Sequence, residues 1–128
     1  MTGWDPATLE LARLLPETAR GPRRDGIYAL WLTMRVAQDL LLEPPLPERL
    51  HKRRLLALEA RLSSLTIPAP LRRALGGAIL HLRDGGPGVA ATVLSHLAAP
   101  ARETISPEVS EILTRAAHSA RQTSRERG

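Results

Sequence analysis

Cysteine is missing from this sequence, which excludes disulfides and thiolate metal sites. Phenylalanine is missing too, and Trp4, Tyr28 and Trp31 are the only aromatic residues in 128. Bases stack on aromatic faces, so a platform for single-stranded nucleic acid is nearly absent. No four-residue alternation of β-branched and polar side chains stands out, so no strand is expected. The N-terminus lacks a basic segment leading into an apolar run, so no signal peptide is expected and the expected location is cytoplasmic. Lysine is reduced to Lys52, beside 17 arginines.

Long hydrophobic runs are equally scarce, with one exception. Residues 26–43 read Gly-Ile-Tyr-Ala-Leu-Trp-Leu-Thr-Met-Arg-Val-Ala-Gln-Asp-Leu-Leu-Leu-Glu. The run from Ile27 to Leu42 is too long for an ordinary strand and enough for about four helical turns. A bilayer needs roughly 20 apolar residues, and Arg35 and Asp39 stand in the middle of this run, so it is not a membrane span. At 100° per residue, Tyr28, Arg35 and Asp39 share a narrow polar stripe, and Arg35 and Asp39 can pair across one turn. The rest of the circumference is apolar, which predicts a helix at the centre of a bundle.

Helix boundaries are written in prolines and glycines. Asp5-Pro6 opens a first helix, with Trp4 placed to pack on Leu9 and with Pro16 kinking or ending it. Asp25 is the expected cap of the hydrophobic helix, and Pro44, Pro45 and Pro47 stop it. A third helix is expected from Pro47 to Leu65, with Leu55, Leu58, Leu62 and Leu65 as its core stripe. A helical hairpin follows. Its first arm runs from Pro70 to Asp84 with Leu71, Leu75, Ala78 and Leu82 inward. Its second runs from Pro87 to Ala99, ended by Pro100. Ser106 caps the last helix, which carries Val109, Ile112, Leu113, Ala116 and Ala120 on one face. The predicted architecture is a compact all-α bundle of five to six helices around the helix at 26–43. Residues 1–121 form one domain, and 122–128 a polar tail that frays.

Leu75, Gly76, Gly88, Ser95 and Pro100 fall at positions that resemble one tetratricopeptide repeat, a unit of about 34 residues. Arg72, Ile79 and Thr92 occupy the places where that repeat carries large residues, and no second copy fits upstream. The resemblance implies an αα-hairpin. A solenoid would need about three such units.

Candidate chemistry is sparse. Glu48 and His51 match one Glu-x-x-His element of a di-iron bundle, but no second copy exists around His81, His96 or His118. His81 and His96 lie at depths of roughly 6 and 15 Å from the Gly85-Gly86 turn, an offset that would keep them from sharing a metal. Gly85-Gly86-Pro87-Gly88 lacks the Gly-Lys-Ser/Thr ending of a phosphate loop, and no Gly-x-Ser-x-Gly surrounds Ser95. No catalytic residue, metal site or cofactor is therefore expected, and the chain does not read as an enzyme.

The net charge is +5 and the pI about 11.2. A basic balance points to nucleic acid or an acidic partner, although an arginine-rich composition is also what a GC-rich genome yields. Residues 1–64 carry +2 (10 basic, 8 acidic) and residues 65–128 carry +3 (8 basic, 5 acidic). The sharpest cluster is Arg49, Lys52, Arg53 and Arg54, a candidate face for phosphates or an acidic partner. Leu56 and Leu80 fall off their helices' core stripes and mark a candidate partner surface. The functional expectation is a cofactor-free protein-interaction or scaffold module, with a protein partner or homodimer. The alternative is a basic helical binder of nucleic-acid backbone.

Overall fold

Every helix start has a proline within one residue of it: Pro6, Pro22, Pro47, Pro68, Pro87 and Pro107. Proline's fixed φ suits a first turn, and its missing N–H is one that a helix start leaves unpaired anyway. The computed structural model describes residues 5–127, which fold as α1 (Asp5–Glu17), α2 (Pro22–Asp39), α3 (Glu48–Ser63), α4 (Ala69–Asp84), α5 (Pro87–Thr104) and α6 (Pro107–Arg127). No strand occurs among the described residues, and no helix there is long and apolar enough to cross a membrane. The all-α bundle predicted from the sequence is the fold observed.

Helix α2 packs against α1, α3, α4 and α5, so the apolar stretch is the hub in breadth of contact. The most extensive packing is between α5 and α6, followed by α4 and α5, and α6 returns to α1. Leu11, Leu30, Met34, Leu41, Leu71, Leu75, Leu82, Leu94, Leu97, Ile112 and Leu113 are fully buried where these helices meet. Burying a leucine-sized side chain stabilises by about 1.5–3 kcal/mol, and this shared core holds six short helices that would be marginal alone. Thr33 and Ser110 are the buried polar residues among those described; the Thr33 hydroxyl donates to the Ala29 carbonyl at 2.8 Å.

Several boundaries differ from the sequence reading, each for a local reason. Helix α2 starts and ends four residues earlier than 26–43. Gly21, at φ 145°, turns the chain into Pro22, so the helix begins there. At its end Leu40, Leu41 and Leu42 each donate to the residue three back, a tightened turn ahead of Pro44-Pro45. Asp25 is then not the cap. It lies in the first turn, and its carboxylate accepts from the Thr66 amide at 2.8 Å. The expected Arg35–Asp39 pair is not formed either. The Arg35 guanidinium lies over the Trp31 ring at 4.9 Å, and Asp39 accepts from Arg54.

Pro100 does not end α5, which runs on to Thr104. A proline interrupts one backbone bond; beyond it the Thr104 hydroxyl donates to the Pro100 carbonyl at 2.7 Å, and the Ile105 amide donates to the Ala101 carbonyl at 2.8 Å. Helix α6 continues through residues 122–127, the stretch set apart as a polar tail. Gln, Arg and Glu there are good helix formers, and the Thr123 hydroxyl donates to the Ser119 carbonyl at 3.1 Å. Ser106 caps α6 as expected, accepting from the Val109 amide at 3.2 Å. The Trp4 contact with Leu9 lies outside the described residues, and Leu9 is exposed.

Candidate docking surface on the third and fourth helices

Helix α3 buries Leu55, Leu58 and Leu62, as its spacing predicts, whereas Leu65, the fourth residue of that stripe, lies past the helix end at Ser63 and is half-buried. That leaves Arg49, Lys52, Arg53 and Leu56 on its outer side, all exposed. Helix α4 buries Leu71, Leu75, Ala78, Ile79 and Leu82 and exposes Arg72, Gly76 and Leu80, which succeed one another every four residues along one stripe. His51 joins the two helices. Its Nε2 lies 2.8 Å from the carbonyl oxygen of Leu82, in the last turn of α4, where backbone carbonyls lack helical partners.

Between α3 and α4 runs an open groove of about 330 Å³. Leu62, Ile67, Leu75, Ile79 and Leu80 make its lining mainly apolar, and Glu59, Ser63, Arg72 and Arg83 form its polar edges. Leu80 is 61% exposed and Leu56 is 65% exposed, the two most exposed large hydrophobic side chains described. Leu56 is outside the lining itself, but it precedes Glu59 by three residues and Ser63 by seven, which puts it on the same face of α3, next to the groove. Arg83 reaches across to Glu59 at 2.6 Å, an exposed bridge of the kind worth about 0–1 kcal/mol.

Gly76 and Gly77 sit in the middle of α4, where each glycine costs about 1 kcal/mol relative to alanine. A Cβ at either position would meet nothing within 4 Å, so packing inside this chain does not require them. Gly26 is the contrast. A Cβ there would lie 2.9 Å from Ile105 Cδ1 and 3.2 Å from Leu71 Cδ2, a close approach that the α2 packing uses.

Two members of the predicted basic face have acidic partners. Lys52 pairs with Glu48 at 3.2 Å, and Arg54, half-buried, turns inward to Asp39 of α2. Arg54 therefore leaves the candidate phosphate face and serves the α2–α3 contact. Arg49 and Arg53 stay exposed and form no ion pair among the described residues. The balance over whole helices is more telling than either half of the chain. Residues 48–84 carry eight basic groups against three acidic ones, and the rest of the chain ten against ten. The entire net charge of +5 resides on the stretch that builds the groove. Elsewhere charges are matched, as where Glu10 takes Arg115 at 2.8 Å and, mainly through that hydrogen bond, raises the guanidinium's pKa.

The histidines also differ from expectation. The His81 and His96 rings meet edge to face with centroids 6.1 Å apart, despite the offset of their backbones from the turn. Helical side chains lean toward the N-terminus of their own helix, so His81 leans away from the turn and His96 toward it, closing the gap. Both are exposed. Among the described residues no three of His, Asp and Glu gather closely enough to hold a metal ion.

Compared with family models, curated proteins and solved structures, the chain matches none of them.

Proposed function

We propose that this chain is a helical protein-interaction module that works through surface contact, without a cofactor, and that the α3–α4 face is where it engages a protein. One observation carries the reading: an open apolar groove lined by Leu80, with Leu56 next to it on α3, the two large hydrophobic side chains that stand most exposed among the described residues. Apolar patches rimmed by polar groups mark interaction sites. The test is photo-crosslinking from position 80 in the native host. A protein joined there should be recovered by the parent chain and lost after Leu56→Glu. Recovery indifferent to Leu56→Glu would overturn the proposal.

A second reading, binding of nucleic-acid backbone, is favoured by the exposed Arg49 and Arg53 and by the charge held on α3 and α4. The groove argues for the first reading, because phosphates need no apolar floor.

A further inference from the structure

We propose that the occupant of the α3–α4 groove is an acidic amphipathic helix of another protein, laid along α4 with its backbone passing close over Gly76. This rests on the reading of the groove as a protein docking surface and adds the partner's chemistry.

Three independent observations converge on it. The first is shape. Arg72, Gly76, Leu80 and Arg83 run along the outer face of α4 for about 16 Å, or three turns, the length over which two helices can lie in contact. The second is the gap at Gly76. It lines the groove, and the space where its Cβ would be is empty. A residue without a side chain lets a second helix approach closely, and a large apolar side chain from that helix can settle beside Leu75, Ile79 and Leu80. The third is charge. The stretch from Glu48 to Asp84 holds the whole excess of +5, with Arg72 at the groove edge and Arg49 and Arg53 beyond Leu56. Arg72 spends one N–H on the Leu65 carbonyl, which accounts for only part of a guanidinium's five donors. A partner of opposite sign is drawn to this face and held in register by it.

The same charge sets a second copy of this chain at a disadvantage. Two copies meeting through this face would bring two excesses of +5 together, and like charges across an interface oppose association. A duplex would satisfy the arginines but leave Leu56, Leu80 and the groove uncovered.

The test offers the immobilised full chain a displayed library of segments of about 20 residues, enough for five helical turns, tiled across the proteins of its host. Enriched segments are made as labelled peptides and titrated by fluorescence anisotropy. The expected segments carry apolar residues at i, i+3, i+4 and i+7, a net negative charge, and helical circular dichroism when bound. Leu80→Glu and Gly76→Leu should each weaken binding by about tenfold or more, as for central interface positions. Gly77→Leu, off the groove, should leave binding unchanged. Both glycine variants place a better helix former in open space, so the fold survives them, and circular dichroism of the free chain checks this. If enriched segments are neutral or basic, yet lose affinity on Leu80→Glu, the groove still docks protein and the acidic helix is overturned. The acidic helix is overturned likewise if the parent chain self-associates at micromolar concentration and Leu80→Glu abolishes it. If no segment is enriched, or binding ignores both Leu80→Glu and Gly76→Leu, the inference fails and the docking reading fails with it.

Discussion

His51 and Leu82 are hydrogen-bonded side chain to main chain, with the imidazole Nε2 2.8 Å from the carbonyl oxygen. The carbonyl can only accept, so Nε2 carries the proton. This bond ties the first turn of α3 to the last turn of α4 and so fixes the two walls of the groove. His51→Ala leaves that carbonyl without its partner and should cost about 1–2 kcal/mol, the range for losing a part-buried hydrogen bond. Urea denaturation of the parent and variant measures it. A cost near zero would mean that water replaces the imidazole freely.

The glycines give a paired prediction. Gly76→Ala should raise stability by about 1 kcal/mol, the helix-propensity difference, because the new methyl meets nothing. Gly26→Ala gains the same propensity but must displace Ile105 Cδ1 from 2.9 Å, so its net effect should fall below that of Gly76→Ala. Thermal melts of the two variants read the difference. Equal gains would show that Ile105 yields without cost.

Trp31 is not a fully buried core residue. It is half-buried, stacked on Tyr28 with centroids 6.0 Å apart, and covered by Arg35. Trp31→Ala should therefore cost less than Leu30→Ala, even though it deletes more atoms. Leu30 is completely buried, and its truncation should cost about 2–5 kcal/mol. Denaturant midpoints order the two, and the reverse order would place Trp31 deeper than its exposure indicates.

Nucleic-acid binding has a separate signature. A backbone binder using three or four cations would show a log–log salt slope of roughly −3 to −4 on duplex DNA. The triple change Arg49→Gln, Lys52→Gln, Arg53→Gln would then remove most of it. Under the docking reading, anisotropy on labelled duplex at about 50 and 200 mM salt should show only weak binding with little sequence preference. Tight duplex binding that the triple variant abolishes and Leu80→Glu leaves intact would favour the nucleic-acid reading.

Sedimentation at micromolar concentration should give a monomer at low salt, because the charge on α3 and α4 opposes two-fold pairing through that face. A dimer that dissociates on Leu56→Glu would show that apolar contact outweighs repulsion.

The bundle was legible because its signals are local. Prolines mark each helix start, and the stripes Leu55-Leu58-Leu62 and Val109-Ile112-Leu113-Ala116-Ala120 are buried as their spacing requires. What escaped depends on neighbours distant in sequence. The pairing of Asp39 with Arg54 rather than Arg35 needs α2 and α3 side by side. The bond from His51 to Leu82 spans 31 residues, and the meeting of His81 with His96 depends on side-chain direction across a hairpin. The exposure of Leu56 and Leu80 was readable from their positions off the core stripe. The groove between them was not, since it exists only once Ile67 and Leu75 close its floor. The totals of the two halves conceal the concentration of charge, because the midpoint of the chain falls between α3 and α4.

The Glu10–Arg115 bridge has a kinetic consequence. It joins α1 to α6 across 105 residues, whereas α5 and α6, the most extensively packed pair, are adjacent in the chain. Contacts that close long loops form late, after local hairpins have met. The α1–α6 contact should then form after α5 and α6 have met, whereas α1 and α2, adjacent in the chain, can pack early. Arg115→Gln, which removes the long-range bridge alone, should speed unfolding while leaving the refolding rate nearly unchanged.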